Sequence, residues 1–491
     1  MQKIEDQVYL ARQVRELDRM AIEEFNIPSF TLMRRAAEAV FVEIQKVWPM
    51  ANHIIVLVGA GNNGGDGYVI AELALAAKLE VKVIQVGDHS NLQGDAKKAH
   101  DLYIGSGGGC AIFKSNDFNN CDLIVDALLG TGLTRSVEGD YAQIIEQVNL
   151  HPVPALSVDI PSGLNADNGC PLGIAVQADT TVTFVGMKLG LLTAAGRKYS
   201  GKIIFNHLQI PQEVYQSMSS ACQSIQLSDM HAALGQRNVD AHKGDFGHVV
   251  IIGGNAGMAG SVMLAAEAAA RTGSGLVSVA TLEQHTLAAL PCCREIMVHA
   301  VESVKELNPL LNRASVVVIG PGLGQDAWAK KLLSRVLEFE LPMVVDADAL
   351  NLLAGEPMQK KSWVLTPHPG EAARLLKIST KEIQENRLQS VQSLQKEYGG
   401  VAVLKGSGTM VATEHDVSIC RAGNPGMASG GMGDVLTGII AGLLAQGLNG
   451  YDAARFGVQL HAQSADLAAE QGMRGMLASD LFVPLRTLVN Y

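Results

Sequence analysis

Short apolar runs alternate with helical periodicity in the first part of the chain. Segment 12–48 repeats apolar residues at helical spacing with a break at Ile27-Pro28-Ser29, which predicts two helices, the second started by proline. Apolar runs of strand length then alternate with helical segments, at 54–58, 81–86, 123–125, 155–158, 180–185 and 203–205. This βαβ rhythm predicts a parallel sheet with helices on both faces, a Rossmann-like three-layer α/β domain.

A second series of the same kind follows a polar stretch rich in Ser and Gln. Its apolar runs lie at 249–252, 276–280, 316–319, 343–345, 363–365 and 401–404. The chain has 491 residues, more than one hydrophobic core usually supports, and the two series share no repeated motif. We therefore expect two unlike three-layer domains, at 1–212 and 228–491, joined by a linker at 213–227.

Composition narrows the class of protein. Apolar residues make up 47% and charged residues 18% of the chain, which is typical of a soluble α/β protein. The net charge of −11 argues against nucleic acid or an anionic membrane as a partner, so phosphate groups must be held locally. The first residues are charged throughout and lack the apolar core of a secretory signal, so we expect a cytoplasmic protein.

The run GAGNNGGDG at 59–67 lies between a predicted strand and a predicted helix from Tyr68. It contains the GxGxxG pattern, whose glycines let backbone amides approach a phosphate. With Asp88 near the end of the next strand, a dinucleotide-dependent dehydrogenase is one interpretation. However, Asn62, Asn63 and Asp66 place polar side chains inside the run, which favours direct ligand binding over a simple spacer.

Further polar residues follow the next predicted strands. Asp126 precedes GTGLTRS at 130–136, and VDIPSG at 158–163 carries Asp159 and Ser162. Any one of these acids could merely cap a helix. Because the carboxyl ends of parallel strands form the ligand crevice of such sheets, the set together predicts a binding site.

GAGNNGGDG, DALLGTGL and VDIPSGLNAD resemble the NAD(P)H-hydrate epimerases, the YjeF N-terminal family, over about residues 10–210. The resemblance implies interconversion of the R and S hydrates at C6 of the reduced nicotinamide, with K⁺ held by Asn63, Asp126 and Ser162. It implies Asp159 as the acid/base residue and leaves its partner open, with Arg135 as a possible assistant. The substrate-binding residues it implies are Asn62, Asn63, Gly64, Gly65, Asp66, Gly130, Thr131, Gly132, Leu133, Thr134, Arg135, Ser136 and Asp159.

Glycine-rich turns also follow the strands of the second series. One run, at 253–269, places Gly260 and Ser261 at a predicted helix start, and GPGLG at 320–324 ends a later strand. His368 lies between two prolines, as expected for a side chain presented to a ligand. Glu371 either caps the following helix or holds Mg²⁺ through water, and the sequence leaves both open.

The strongest signal is NPGMASGGMGDVLTG, which opens a helix with clustered glycines and places Asp434 in its first turn. Free amides of Gly431, Met432 and Gly433 form an anion hole for a transferring phosphoryl group, and Asp434 can take a proton from an attacking hydroxyl. The alternative is an acid that only favours the helix dipole. Upstream, LKGSGT at 404–409 offers Lys405 on a strand-turn-strand element.

No GxxxxGK[ST] loop occurs, and the arrangement resembles the ribokinase-like fold. NAGMAGS, PGLG, DADALN, TPHPGE, KGSGT and NPGMASGGMGD together resemble the NAD(P)H-hydrate dehydratases, the YjeF C-terminal family, over about residues 230–490. The resemblance implies Mg²⁺, ADP as phosphoryl donor, NADHX and NADPHX as substrates, and a homo-oligomer. It assigns the adenine nucleotide to Lys405, Gly406, Ser407, Gly408, Thr409 and Gly433, and the hydrate to Gly260, Ser261, Gly322, His368 and Asp434.

Two other functions fit parts of the pattern. A ribokinase-like kinase of a small-molecule hydroxyl would use the same glycine-rich hole and acid. A nucleotide-sensing or scaffold protein would bind without turnover. The TPHPGE segment and the fused first half favour repair over the kinase, and two intact sets of polar residues favour an enzyme over the sensor.

Overall fold

The computed structural model describes residues 3–113, 118, 120–289 and 294–490. It divides into two compact units, Met1–Gln223 (the first unit) and Ser224–Tyr491 (the second unit). The division falls inside the segment expected to be a linker. That segment contains regular structure, including most of a short helix, Gln212–Gln216, and a short strand, Cys222–Ser224. Val214 in the helix and Cys222 in the strand are buried. The overall polar composition of the segment conceals these two short elements.

The main sheet of the first unit has seven strands, all parallel to their neighbours, in the order β4-β3-β2-β5-β6-β7-β9. Strand order reverses between β2 and β5, the kind of point where α/β sheets open a ligand crevice. The strands are β1 Gln7–Tyr9, β2 His53–Val58, β3 Glu80–Gln85, β4 Cys110–Ile112, β5 Leu123–Ala127, β6 Ala155–Val158, β7 Thr180–Phe184, β8 Met187–Lys188, β9 Lys202–Asn206 and β10 Cys222–Ser224. β1 pairs with β8 and β10 outside the main sheet.

Helices cover both faces of this sheet. Ile54, Val56 and Val58 of β2 pack into a core with α1 and α2, whereas the alternate Ile55 and Leu57 pack into a second core with α5. The helices are α1 Ala11–Glu23, α2 Ser29–Val47, α3 Asn62–Ala76, α4 Gly94–Gly105, α5 Gly139–Leu150, α6 Leu189–Leu192, α7 Gly196–Ser200 and α8 Gln212–Gln216. The predicted three-layer architecture and the predicted pair α1 and α2 are confirmed.

The second unit has a sheet in the order β13-β12-β11-β14-β15-β16-β17-β18-β19, parallel from β13 to β17 and antiparallel beyond. Strand order reverses between β11 and β14. The strands are β11 His248–Ile252, β12 Leu276–Thr281, β13 Met297–Ala300, β14 Val316–Ile319, β15 Met343–Val345, β16 Trp363–Leu365, β17 Val401–Leu404, β18 Met410–Ala412 and β19 Val417–Ile419.

The helices of this unit include a closely packed pair, α10 and α18. A Cβ on Gly438 would lie 2.1 Å from the Ala265 carbonyl oxygen, so part of the glycine run in α18 serves helix packing. The helices are α9 Leu227–Leu234, α10 Ala259–Thr272, α11 Glu283–Ala289, α12 Val304–Leu311, α13 Ala327–Leu337, α14 Ala347–Gly355, α15 Pro369–Leu376, α16 Thr380–Glu385, α17 Arg387–Tyr398, α18 Met432–Ala445, α19 Gly450–Ala468 and α20 Phe482–Leu488. Within the described residues, no helix combines the length and the apolar character needed to cross a membrane.

Candidate active sites

A cleft of about 720 Å³ opens beside the carboxyl ends of the central strands of the first unit. Most of the residues expected to bind substrate line it, whereas Gly64, Gly65 and Ser136 do not. The lining members are Asn62, Asn63, Asp66, Gly130, Thr131, Gly132, Leu133, Thr134, Arg135 and Asp159. Asp88, the acid that the dehydrogenase interpretation needs, is bonded to Ser90 and does not line the cleft.

Two of the predicted loop glycines have a packing role. Helix α3 begins at Asn62, so the run expected to be a loop forms the first turns of a helix. A Cβ on Gly64 would lie 1.8 Å from the Gly59 carbonyl oxygen, and one on Gly65 would lie 2.6 Å from the Met33 methyl group. Gly64 lets α3 pack closely against the turn that precedes it, and Gly65 lets α3 pack closely against α2. This packing fixes the positions of Asn62 and Asn63.

Asp126 and Ser162 meet beneath this cleft. The Ser162 hydroxyl donates to Asp126 at 2.5 Å, the Ser162 amide donates at 2.8 Å, and the Ser157 hydroxyl donates at 2.8 Å. Asp126 is fully buried, and burial raises the pKa of its carboxyl although the Ser162 and Ser157 bonds oppose the rise. The structure therefore brings together two of the three residues expected to hold K⁺.

Asn63 has the features expected of the third. It is 8% exposed, and its side-chain nitrogen has no hydrogen-bond partner among the described residues. A half-turn of the Asn63 amide places its oxygen at this position, where it is an acceptor that can face a cation. A neutral amide, a hydroxyl and one carboxylate form an oxygen-rich set of low charge, which fits a monovalent cation.

Asp159 directly follows β6 and lies in the left-handed region, with φ of 66°. Its Oδ1 accepts from Lys188, from the Phe184 amide at 3.2 Å and from the Thr183 hydroxyl at 3.3 Å. The Lys188 ammonium is 1% exposed and also donates to the Phe184 carbonyl at 2.8 Å. These donors fix the orientation of the Asp159 carboxyl group, which still faces the cleft. The sequence prediction included Asp159 but missed Lys188.

Two further acids line the same cleft. Burial, with the negative charges of Asp159 and Asp18, raises the pKa of Asp66 well above its usual range. Burial raises the pKa of Asp18 on α1 to about 6, with Lys188 opposing and Asp159 adding to the rise. The cleft thus combines one carboxyl group held by a lysine with two acids whose pKa values are raised.

In the second unit, α18 begins where its glycine cluster predicted. Gly431 precedes the helix with φ of 86°, and a Cβ on Gly433 would lie 3.3 Å from the Lys405 ammonium. The amides of the first turn therefore open beside a positive charge. In the preceding loop, the Ser429 hydroxyl is buried without a hydrogen-bond partner among the described residues. This arrangement suits an anionic phosphoryl group.

Lys405 is the centre of a buried charge network. Its ammonium lies 2.7 Å from Asp346 and 3.8 Å from Glu371, and Thr437 donates to the other Asp346 oxygen at 2.8 Å. Burial alone would lower the pKa of Lys405, but the Asp346 and Glu371 carboxylates outweigh it and raise that pKa. Asp346, which the sequence prediction did not include, therefore holds the lysine beside the anion hole.

Asp434 stands in the first turn of α18. Burial and the repulsion of Asp346 raise the pKa of Asp434 to about 6, whereas a hydrogen bond with Ser261 and the charge of Lys405 act to lower it. A carboxylate with this pKa is mostly ionised at neutral pH and is a competent general base. The contact with Ser261 brings together two residues predicted to face the hydrate.

The remaining glycine-rich turns contact each other. The Gly254 amide donates to Pro321 at 3.1 Å, and the Asn255 amide donates to Gly322 at 2.6 Å. Gly322 has φ of 54°, and a Cβ there would lie 2.8 Å from the Met258 carbonyl oxygen. Gly260, by contrast, is exposed with open space where a Cβ would stand. Backbone packing thus accounts for Gly322, while Gly260 leaves room for a ligand.

His368 and Glu371 form the cap of α15. The His368 amide donates to Glu371 at 2.8 Å, and the Gly370 amide donates to His368 Nδ1 at 2.9 Å. Burial first, and then the charge of Lys405, lower the pKa of His368. Of the two roles left open for Glu371, capping is present, and holding Mg²⁺ through water stays a prediction. Among the described residues, no three His, Cys, Asp or Glu side chains are grouped to hold a metal ion.

The Lys405–Thr409 segment is a strand-turn-strand element braced from within. Arg387, 2% exposed on α17, donates to the carbonyls of Leu404, Lys405 and Gly408 at 3.1 to 3.3 Å. Gly406 and Ser407 are exposed, Thr409 closes the turn by donating to Gly406 at 2.9 Å, and Gly408 is buried. The turn is therefore rigid with its tip open to a ligand.

Replacing Lys405 by Met should destabilise the second unit. Asp346 and Glu371 would remain buried without their cation, which typically costs about 3–5 kcal/mol. We expect the calorimetric melting temperature of this unit to fall by about 6–12 °C at pH 7. The deficit should shrink at acidic pH, because the Glu371 carboxyl, whose pKa burial raises, is then neutral in both the folded and the unfolded state.

Adding Asp346→Asn to this variant should recover part of the loss, since it removes one of the unpaired charges. A Lys405→Met protein that melts like the wild type at pH 7 would show that the network carries no net stability.

Comparisons with known proteins cover both units. The family profile described as NAD(P)H-hydrate dehydratase matches residues 249–486, and the profile described as YjeF-related protein N-terminus matches residues 29–190. Over 485 residues the chain is 47% identical to the bifunctional NAD(P)H-hydrate repair enzyme Nnr of Coxiella burnetii, with 98% of this chain and 99% of that relative covered. This chain belongs to the family of bifunctional NAD(P)H-hydrate repair enzymes.

Other members and a solved structure agree. The bifunctional NAD(P)H-hydrate repair enzyme Nnr of Escherichia coli is 46% identical over 487 residues, covering 98% of this chain and 94% of that relative. A ribokinase-like superfamily protein from Enterococcus faecalis is 31% identical with a TM-score of 0.52, covering 55% of this chain and 95% of that one. The predicted family, the ribokinase-like second domain and the predicted repair function are confirmed. The hydroxyl-kinase alternative is not favoured.

Proposed function

We propose that each unit of this bifunctional NAD(P)H-hydrate repair enzyme catalyses one of its two reactions, with the site residues described above. The first unit interconverts the R and S epimers of NADHX and NADPHX. The second converts the S epimer to NADH or NADPH, with ADP becoming AMP and phosphate. The observation that carries this assignment is the full-length relative, since both sets of site residues lie within one alignment covering 98% of the chain.

In the dehydratase reaction, the C6 hydroxyl attacks the terminal phosphorus of ADP and AMP leaves. Asp434 takes the hydroxyl proton, while the amides of residues 431–433 and Lys405 offset the charge that develops on the phosphoryl oxygens. The ring nitrogen lone pair then expels phosphate from C6, and loss of the C5 proton restores the double bond. The proposal is supported by the meeting of Asp434, Lys405 and the α18 N-terminus at one place.

The nucleotide and its metal belong to the same proposal. Residues 405–409 and Gly433 hold the adenine nucleotide, and Gly260, Ser261, Gly322 and His368 face the hydrate. Mg²⁺ is brought by the phosphates of ADP rather than by a cage of protein ligands, as is usual for this ion. Glu371 supports the site by capping α15 and pairing with Lys405.

In the epimerase reaction, the hydroxyl on C6 must leave one face of the ring and return on the other. The nitrogen lone pair makes this possible, because it stabilises the planar cation that forms when the hydroxyl departs as water. Asp159 acts on that hydroxyl or on the incoming water, and Lys188 keeps its carboxylate oriented. Residues 62–66 and 130–136 bind the rest of the nucleotide.

K⁺ held by Asn63, Asp126 and Ser162 should stabilise the first unit. A ligand that binds only the folded state raises stability by mass action, about 2.7 kcal/mol at a hundred times its Kd. We expect KCl to raise the melting temperature of this unit above its value in choline chloride of equal ionic strength. Asp126→Asn should abolish that increment, and equal melting in both salts would contradict the cation site.

One assay tests the whole function. The protein is incubated with mixed R and S NADHX, ADP and Mg²⁺, and the absorbance of reduced nicotinamide is followed. We expect the absorbance of reduced nicotinamide to recover fully. If it does not recover at all, the repair function is contradicted. Omitting ADP should stop recovery while the epimers still interconvert.

The proposal includes the cellular location, the domain boundaries and the oligomeric state of the enzyme. We place it in the cytoplasm, where thiols stay reduced, and no disulfide bond joins any of the described cysteines. Cys292 and Cys293 lie outside the described residues. The domains expected at 1–212 and 228–491 remain the proposed functional boundaries, and light scattering of the purified chain tests the expected homo-oligomer.

A further inference from the structure

The epimerase reaction needs a second proton-transfer group. When the C6 hydroxyl leaves as water, an acid must supply a proton on that face of the ring. When water adds to the opposite face, a base must accept a proton there. A single carboxylate on one face cannot do both, so Asp159 requires a partner in the same cleft.

Asp18 occupies a suitable position on α1. Helix α1 is anchored by Val14, Leu17 and Ala21, which are buried in the core of the first unit. Asp18 is half-buried on the same helix and lines the cleft together with Asp159. Among the residues that the structure describes, no hydrogen-bond donor or ion-pair partner is found for its carboxyl group. A half-buried carboxylate with a purely structural role normally has a hydrogen-bond donor or an ion-pair partner.

The groups around Asp18 come from several elements. Lys188 of β8, Asp159 after β6 and Asp66 of α3 line the same cleft. The negative charge of Asp18 also helps to raise the pKa of Tyr215 on α8. Lys188 is bonded to Asp159, so it stabilises that carboxylate first. Asp18 is left as the acid that gains and loses a proton near neutral pH, with a pKa of about 6. Asp66 has its pKa raised well above the usual range, which makes it a poor group for cycling.

We propose that Asp18 is the second catalytic residue of the epimerase site, acting on the face of the nicotinamide ring opposite Asp159. In one direction Asp18 gives its proton to the C6 hydroxyl, the C6–O bond breaks, and the nitrogen lone pair forms the C6=N1 bond. Water then adds to C6 from the other face, its electron pair forms the new C6–O bond, and its proton passes to Asp159. The reverse direction exchanges the two roles. This inference rests on the proposed epimerase function.

The enzyme must therefore hold one proton between the two carboxyls. Asp18 loses its proton above its pKa of about 6, so kcat/KM for epimerisation should fall about tenfold per pH unit above that pH. The same dependence should hold in both directions, because the equilibrium between the epimers contains no proton.

The test uses the full chain without ADP, so that the second unit consumes nothing. Starting from purified R-NADHX, the S epimer is followed by chromatography between pH 5 and pH 8. Asp18→Asn should lower kcat/KM by about 100-fold near pH 6 and remove the decline above it. Asp18→Glu should keep measurable activity and a titration limb at a shifted pH.

Glu23→Gln is the matched control, since Glu23 is an exposed acid on the same helix whose partner is Arg19. It should leave rate and pH profile unchanged. Thermal unfolding should show that Asp18→Asn is at least as stable as the wild type, because the substitution removes a half-buried unpaired charge. If the wild type interconverts epimers and Asp18→Asn does so with the same rate and profile, Asp18 is not catalytic. If the wild type fails to interconvert them, the proposed function itself is wrong.

Discussion

Asp434→Asn should reduce ADP-dependent recovery of NADH from S-NADHX by about 10³ to 10⁴-fold, the upper part of the range for loss of a general base. Asn keeps the shape and the ability to contact Ser261 but cannot accept the hydroxyl proton. Binding of ADP should change little, because Lys405 and the amides of the α18 N-terminus remain. The loss should therefore fall on kcat, measured with saturating ADP and S-NADHX.

The pH profile separates this role from a structural one. Asp434 must be ionised to act as the base, so kcat/KM should rise with pH up to about 6 and then level off. Ser261→Ala removes a hydrogen bond that lowers the Asp434 pKa, so the rise should move to higher pH. The Asn variant should lose this limb entirely.

Two controls show whether the fold is intact. Asp434 has a folded-state pKa above its usual value, so its ionised form costs stability above that pKa, and Asp434→Asn should melt no lower than the wild type at pH 7. Asp452→Asn, in the first turn of α19, is an equivalent change away from the anion hole and should leave the rate unchanged. An Asp434→Asn enzyme with normal kcat would remove Asp434 from the mechanism.

The strands were the most predictable part of the fold. Those buried on both faces of a parallel sheet read as continuous apolar runs, and predicted bounds such as 155–158 and 316–319 coincide with β6 and β14. The accessory strands β1 and β8 have no such run because they are only three and two residues long, and β13 has none because it is only partly covered. Their pairing depends on segments distant in the chain, which local pattern cannot show.

The start of α3 was placed too late for a physical reason. Asn and Gly are poor helix formers, so a run such as Asn62 to Gly65 reads locally as a loop. Close packing overrides that preference, because a side chain at Gly64 or Gly65 would collide with the Gly59 carbonyl or with Met33. The predicted ligands survive this change, since residues in the first turn of a helix still present amides and side chains to a phosphate.

Motifs identified the residues that face the ligands, and tertiary contacts supply the residues that hold them. Lys188 acts through Asp159, and Asp346 acts through Lys405, which lies 59 residues away in the chain. Arg387 acts through the carbonyls of Leu404, Lys405 and Gly408. In sequence, Arg387 looks like part of a solvated helix face. The one available signal of this kind was Lys188, a lysine three residues after the predicted apolar run at 180–185.

Asp159→Asn should split the repair of mixed hydrates into two phases. The S epimer should be converted at the normal rate, because the second unit is untouched. The R epimer should then follow at its uncatalysed rate, about 10² to 10⁴-fold more slowly than in the wild type. Asn is the right replacement because Asp159 has φ of 66°, which Asn tolerates far better than Ala.

Loss of the Asp159 charge also affects Lys188. Lys188 is 1% exposed, and leaving it without its carboxylate costs about 3–5 kcal/mol, so we expect the first unit to melt at a lower temperature independently of any catalytic effect. The double variant Asp159→Asn with Lys188→Met removes both charges and should recover stability without recovering epimerisation. Asp88→Asn changes an exposed acid of the same unit that does not line the cleft, and should leave a single fast phase.

The amplitudes of the fast and slow phases distinguish a catalytic from a structural role of Asp159. If Asp159 is catalytic, the fast phase equals the S fraction of the starting mixture, measured independently by chromatography, in both the single and the double variant. A structural role predicts instead that the double variant regains a single phase as its stability returns. A single fast phase in Asp159→Asn itself would show that the acid/base pair lies elsewhere in the cleft, because only an active epimerase can feed the R epimer to a second site that accepts S alone.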